Sequence, residues 1–112
     1  MKDQATNDLL DHLMKCIAAC ETCATACLNE ADPAMMKNCI LLDRDTADAC
    51  VMAARFVARD SAHSDEALAL CITLCRACEA ECRQHDHDHC RACAEACHAC
   101  HVSCEGYVAT AA

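Results

Sequence analysis

The sequence predicts an all-α protein, an antiparallel up-down four-helix bundle with a cysteine-lined core. Three observations predict it. Gly and Pro occur once each in 112 residues, a balance that favours helices with short connections over sheet turns. Only Phe56 and Tyr107 are aromatic, while fifteen residues are cysteine, so cysteine is left to fill the interior. Those cysteines recur at helical spacing. Cys16, Cys20, Cys23 and Cys27 step 4-3-4, Cys71, Cys75, Cys78 and Cys82 repeat the step, and Cys90, Cys93, Cys97, Cys100 and Cys104 run 3-4-3-4. At about 100° per residue each set lies on one stripe of a helix.

The elements follow in order. Helix one is expected from about Asp3 to Asn29. Asp32 then reads as N-cap, with Pro33 at the first helical position of a second helix running to about Asp60. Ser64 reads as the next N-cap, with Asp65 and Glu66 complementing the dipole of a third helix that reaches Arg83. The polar run Gln84–Asp88 is a turn inside which helix four can begin, and Gly106 is its expected stop. The segment at Cys16, C-I-A-A-C-E-T-C-A-T-A-C, matches C-I-T-L-C-R-A-C-E-A-E-C at Cys71, as a duplicated helix pair would. The length fits one domain, residues 1–112.

Helix two carries only Cys39 and Cys50. The 4-3-4 frame between them places Asp43 and Thr46 on the same stripe. A buried carboxylate needs a partner or a cation. Asp43 therefore either reaches solvent at the stripe's edge or serves as an oxygen ligand or counter-charge. Stacking the helices gives expected layers: Cys27, Cys39, Cys82 and Cys90 at one end, then Cys23 with Cys78 and Cys93. Cys20 with Cys75, Cys97 and Cys100 comes next, and Cys16, Cys50, Cys71 and Cys104 lie at the far end.

The formal charge of −9 leaves no basic stripe to neutralise phosphates, which argues against nucleic acid. No apolar run approaches the roughly 20 residues of a membrane span. The start M-K-D-Q-A-T-N-D-L-L has no apolar h-region and no twin arginine, so the chain as given reads as cytoplasmic. In a reducing compartment thiols stay free, and an odd count excludes complete internal pairing. Bridges from i to i+4 would also close loops that the helix has already closed.

Thiolate is the soft ligand that selects Cu(I), Zn or iron–sulfur clusters. Zinc favours four ligands converging from knuckles and loops. A stripe of i, i+3 and i, i+4 thiols instead offers pairs on one helix with a partner across the core, which suits low-coordinate Cu(I). Each Cu(I) replaces about one thiol proton, so several ions per chain can be held in a nearly neutral core. A zinc or other soft-metal buffer, an iron–sulfur electron carrier and a redox enzyme using one low-pKa CxxC pair are the competing readings. No catalytic apparatus is visible, and no Glu-x-x-His pair marks a di-iron site.

At one end of the bundle His85, His87 and His89 sit in the turn between helices three and four, opposite Met35 and Met36. Imidazole and thioether can pass Cu(I) inward, so this end reads as a mouth, with His85, His87 and Met36 as candidate ligands. His12 and His101 flank the other end, His63 and His98 read as surface residues, and Met14 and Met52 read as core filler.

These residues resemble the bacterial copper storage proteins, four-helix bundles whose cores are lined by cysteine. The resemblance runs from about Cys16 to Cys104. It rests on the CxxxCxxCxxxC helices, the CxxC pairs of the last helix and the His/Met-bearing end. It implies Cu(I) storage or sequestration by the fifteen cysteines, metal entering at one end and a homotetramer of bundles. Without an export signal the chain is similar to the cytosolic branch. It departs from the pattern at Asp43 and Thr46. Ile40, Leu41, Leu42, Val51, Met52 and Phe56 give helix two an apolar surface beyond its core stripe that could serve a homo-oligomer.

Overall fold

Four helices account for nearly all of the chain in the computed structural model, which describes residues 2–111. They are α1 (Gln4–Leu28), α2 (Lys37–Ala58), α3 (Ser64–Cys82) and α4 (Asp88–Ala111). Each helix packs on its chain neighbours, and α4 closes the ring on α1. The result is a rod 46 Å long and about 20 Å across, with the expected up-down topology.

Helix ends follow local chemistry, with four departures from expectation. Asp3 caps α1 as its carboxylate accepts from the Thr6 amide at 2.8 Å. At the second start Asp32 makes no side-chain cap, and Pro33–Met36 forms a 3₁₀ turn before α2 begins. That tighter turn carries Met36 into the core and leaves Met35 exposed. Helix α2 stops at Ala58 because Asp60 takes a left-handed φ of 55°. The Ser61 amide then donates to the Phe56 carbonyl and the Asp60 amide to that of Val57, the paired bonds of a Schellman end. Ser64 is the first helical residue of α3, not its cap; its hydroxyl donates to the Ser61 carbonyl at 2.8 Å. Gly106 does not stop α4. Tyr107 and Val108 pack on the core, and the Tyr107 and Thr6 hydroxyls lie 3.1 Å apart, so tertiary contacts carry the helix to Ala111.

The stripe continues past the cysteines. Leu9 and Leu13 extend the α1 stripe by the same 4-3 step, Ala53 and Val57 extend that of α2, and Leu68 that of α3. All are buried, and together they close the end of the bundle away from the histidine turn with hydrocarbon. Met14 is exposed and fills no core space, whereas Met52 is half-buried against it. The mutual heights of the helices also differ from expectation. Helix α1 sits one cysteine step nearer the histidine turn, so Cys20 meets Cys78, Cys93 and Cys97, and Cys16 meets Cys50, Cys75 and Cys100.

Leu13 has no exposed surface and lies in the hydrocarbon end, one step beyond Cys16 on the α1 stripe. Leu13→Ala is expected to destabilise the reduced metal-free protein by about 2–5 kcal/mol in chemical denaturation. Cu(I) capacity of the folded variant should stay that of the parent.

Candidate metal centre

All fifteen cysteines are free and fully buried. Thirteen of their Sγ atoms have a sulfur neighbour at 3.5–4.0 Å. Cys50 lies 3.5 Å from Cys71, Cys39 lies 3.6 Å from Cys82, and Cys20 lies 3.7 Å from Cys93 and 3.8 Å from Cys97. Four-donor groups recur along the axis: Cys23, Cys27, Cys39 and Cys90, then Cys20, Cys78, Cys93 and Cys97, then Cys16, Cys50, Cys75 and Cys100. With metal–sulfur bonds of about 2.3 Å, three trigonal sulfurs sit about 4.0 Å apart and four tetrahedral ones about 3.8 Å. Several pairs already stand at those separations, and the donors of each group lie within 4.8 Å of one another. Adjacent groups lie close enough for one sulfur to serve two ions, because helical neighbours such as Cys16 and Cys20 are 4.0 Å apart.

Asp43 stands inside this column with no exposed surface. The thiols of Cys78 and Cys93 donate to its Oδ1 at 3.2 and 3.3 Å, Cys82 donates to the same oxygen at 3.8 Å, and Cys39 donates to Oδ2 at 3.8 Å. Of the two sequence-level alternatives, the solvent-reaching one is therefore wrong. Burial, followed by the neighbouring Cys93 and Cys78 sulfurs, drives its carboxyl far above the usual carboxylate range. Metal-free, the residue is a neutral acid among thiols. Thr46, the other non-cysteine stripe position, is also fully buried, but its hydroxyl turns to the Leu74 carbonyl at 3.2 Å.

The histidine turn forms the polar end of the column. His89 is the ring that meets the thiols: its Nδ1 lies 3.4 Å from Cys23, 3.5 Å from Cys90 and 3.9 Å from Cys27. Its Nε2 is held by Glu30 at 2.6 Å. That leaves Nδ1 aimed at the core, the arrangement by which a carboxylate orients a metal-binding imidazole. Burial opposes a charge on His89, but hydrogen bonds to Cys23 and Glu30 outweigh it and raise its pKa. The bond to His89 in turn lowers Glu30. Cys23 is held down to about 5 by hydrogen bonds from Cys39 and Cys82, with a smaller contribution from His89. Burial pushes the adjacent Cys27 and Cys90 upward. A sulfur with a lowered pKa thus faces the imidazole, flanked by two whose pKa burial raises.

The other mouth candidates are placed differently. His87 stacks on His89 with ring centroids 5.3 Å apart, and its Nδ1 lies 3.6 Å from Glu30. His85 pairs with Glu81 at 2.7 Å. Both line a surface depression with Glu30, Asp32, Met35 and Met36, outside the thiols that His89 touches. Met36 is buried one turn before Cys39. Sequence reasoning grouped the three turn histidines but took His85 and His87 as ligands. The spacing that marks His89 is its place four residues before Cys93. Among the described residues no helix is long and apolar enough to cross a membrane.

Asp43 also sets the pH response of the metal-free protein. Its folded pKa is raised, so its contribution is fully present below the unfolded value near 4 and is lost as pH rises above it. Asp43→Asn, which keeps the shape without the ionisation, is expected to gain stability relative to the parent as pH climbs from 5 to 7.5. The gap should widen by up to about 1.4 kcal/mol per pH unit in urea denaturation under reducing conditions.

Comparison with known proteins places this geometry among relatives. A family model described as copper storage protein matches residues 2–109. An uncharacterized cysteine-rich protein of Bacillus subtilis (strain 168), YhjQ, is 40% identical over 107 residues, covering 96% of this chain and 99% of that one. The Cu(I)-bound copper storage protein BsCsp3 superposes with a TM-score of 0.88 at 41% identity, covering 92% of this chain and 97% of that one. The copper storage protein Ccsp of Streptomyces lividans, loaded with 10 copper equivalents, superposes with a TM-score of 0.92 at 37% identity. That match covers 95% of this chain and 85% of the other.

Proposed function

Because the chain belongs to the copper storage protein family, we propose that its fifteen buried cysteines are the ligands of a multi-ion Cu(I) store in the cytoplasm. The observation that carries this reading is the column of free, fully buried thiols, with neighbours 3.5–4.0 Å apart in each half and the halves joined through Asp43 and the group Cys20, Cys78, Cys93 and Cys97. Distance alone suits zinc as well as copper. The count favours copper, because fifteen donors in a continuous chain exceed any set of closed four-ligand sites and call for shared sulfurs. The similarity to Cu(I)-bound BsCsp3 and copper-loaded Ccsp supports the same choice. The whole chain acts as one metal-binding domain and does no catalysis.

Loading begins at the histidine turn. The far end is closed by Leu9, Leu13 and Leu68, while the near end offers Glu30, the three histidines and a lowered Cys23. His89 takes the ion first, its Nδ1 with the Cys23, Cys27 and Cys90 sulfurs. His85, His87 and Met36 guide it from the surface depression. Further in, each Cu(I) displaces a thiol proton, and Asp43, touching Cys78, Cys82 and Cys93, is an oxygen ligand or counter-charge at the middle of the path. Copies of the chain associate as a homotetramer through the outer face of α2, where Leu41 and Val51 are exposed beside half-buried Ile40, Leu42, Met52 and Phe56.

The test is an anaerobic Cu(I) titration of the fully reduced protein against a competing chelator, with native mass spectrometry of the product. Tight uptake on the order of ten or more ions per chain is expected, with about one proton released per ion. Uptake of one or two ions would reduce the column to packing. In stopped-flow transfer His89→Ala should slow loading while final capacity stays within an ion or so of the parent. An unchanged rate would remove His89 from the path.

A further inference from the structure

The thiol column does not use every cluster of metal-ligating side chains. On the outer face of α3 and α4, His98 and His101 stand one turn apart on α4, opposite Glu79 of α3. The adjacent Cys97 and Cys100 point into the core, whereas the two rings turn to Glu79, His98 exposed and His101 buried against α3. Glu79 Oε1 lies 2.8 Å from His101 Nε2 and 3.2 Å from His98 Nδ1. The two rings meet edge to face with centroids 5.1 Å apart.

We propose that Glu79, His98 and His101 form a second metal site, for a borderline divalent ion such as Zn²⁺, chemically separate from the thiol core. Bonds of about 2.0–2.1 Å to nitrogen and oxygen place the donors of a tetrahedral ion roughly 3.3 Å apart. The Glu79–His98 separation is already close to that edge and the Glu79–His101 separation is half an ångström short of it. The donor set, two imidazoles and one carboxylate, has the borderline softness of zinc and offers Cu(I) no thiolate. It leaves a fourth position for water.

The supporting groups are those such a site requires. His101 turns its other nitrogen, Nδ1, to Glu105 Oε1 at 2.7 Å, and Glu105 is itself held by Arg76 at 2.9 Å. That carboxylate fixes the imidazole with Nε2 directed at Glu79 and the ion. Arg83 grips Glu79 Oε2 at 2.6 Å, which holds the carboxylate in place with Oε1 toward His101 and both oxygens 3.2 Å from His98. His101 and Glu79 are largely buried, so they are pre-set, while His98 is exposed and gives the ion its approach. An ordinary ion-pair network would explain the contacts of His101 with its two carboxylates. It would not require His98 Nδ1 to meet the same Glu79 carboxylate, 3.2 Å from each of its oxygens.

The test uses Cu(I)-saturated protein under anaerobic conditions, so that the thiols are already occupied, and equilibrium dialysis against Zn²⁺. About one Zn²⁺ per chain is expected in addition to the copper. His98→Ala, an exposed position whose loss spares the core, and Glu79→Gln should each weaken it by at least about tenfold, and Glu105→Gln by about 10–100-fold. Co²⁺ in place of Zn²⁺ should show weak ligand-field bands without sulfur-to-metal charge transfer. No Zn²⁺ uptake, uptake unchanged by His98→Ala, or a Co²⁺ spectrum with thiolate charge transfer would each overturn the site.

Discussion

The structure depends on keeping its core uncharged. Fifteen thiols and one carboxyl are sealed in the middle of a rod with almost no aromatic residues, and a naked charge there would cost several kcal/mol after relaxation. Protonated thiols meet the constraint, since a buried cysteine behaves as a small hydrophobe. So does the long, uninterrupted form of the helices, which satisfies backbone polar groups internally and leaves only side chains to be matched. Among the described residues every buried side-chain nitrogen or oxygen has a partner. Asp43 is matched by thiols and Thr46 by a main-chain carbonyl.

The same constraint shapes how such a core takes up metal. A Cu⁺ held by two thiolates of its own adds a negative charge to the interior, whereas a Cu⁺ that replaces a single proton adds none. Sharing sulfurs between ions is the arrangement that keeps the balance, and it requires a continuous column instead of isolated four-thiol sites. The helical 4-3-4 step supplies it, because sulfurs four residues apart on one helix stand about as far apart as sulfurs facing each other across the core. Asp43 holds a proton of its own within that chain of exchanges. It can take up or give off charge at the point where α2 lacks a cysteine.

Much of this was legible in the sequence because cysteine stripes and helix periodicity are the same signal. The four helices, the burial of each Cys position and the hydroxyl and carboxyl on the α2 stripe follow from the step pattern. The relative heights did not follow. Periodicity fixes which face a residue occupies but not how far one helix slides along another, so α1 was set one cysteine step too far from the turn. Leu9 and Leu13 show what determines the height: they extend the α1 stripe by two further positions, and the hydrocarbon end must meet Ala53, Val57 and Leu68. Gly106 failed as a stop for a related reason. Its propensity is local, whereas Tyr107 and Val108 have core contacts to keep. His89 was hidden among three turn histidines because stripe arithmetic does not tell which ring of a turn faces inward.

The two ends of the rod explain why softness and geometry, not affinity alone, can sort metals on one small chain. Leu9, Leu13, Val57 and Leu68 are buried at the far end, and the proposed route of exchange runs through the histidine turn. There Glu30 orients His89, whose other ring nitrogen faces sulfur. On the outer face, Glu105 orients His101 by the same device, but the next donors are a carboxylate and another imidazole. The orienting carboxylate is common to both places. What differs is the donor beyond the ring, thiolate in one case and oxygen or nitrogen in the other. A soft monovalent ion gains by moving inward from His89, since every further step offers sulfur. A harder divalent ion gains nothing from that path, because replacing oxygen by neutral thiols forces it to expel protons two at a time from a core that resists charge. With the proposed outer site, the fold separates two classes of ion by what lies behind each histidine.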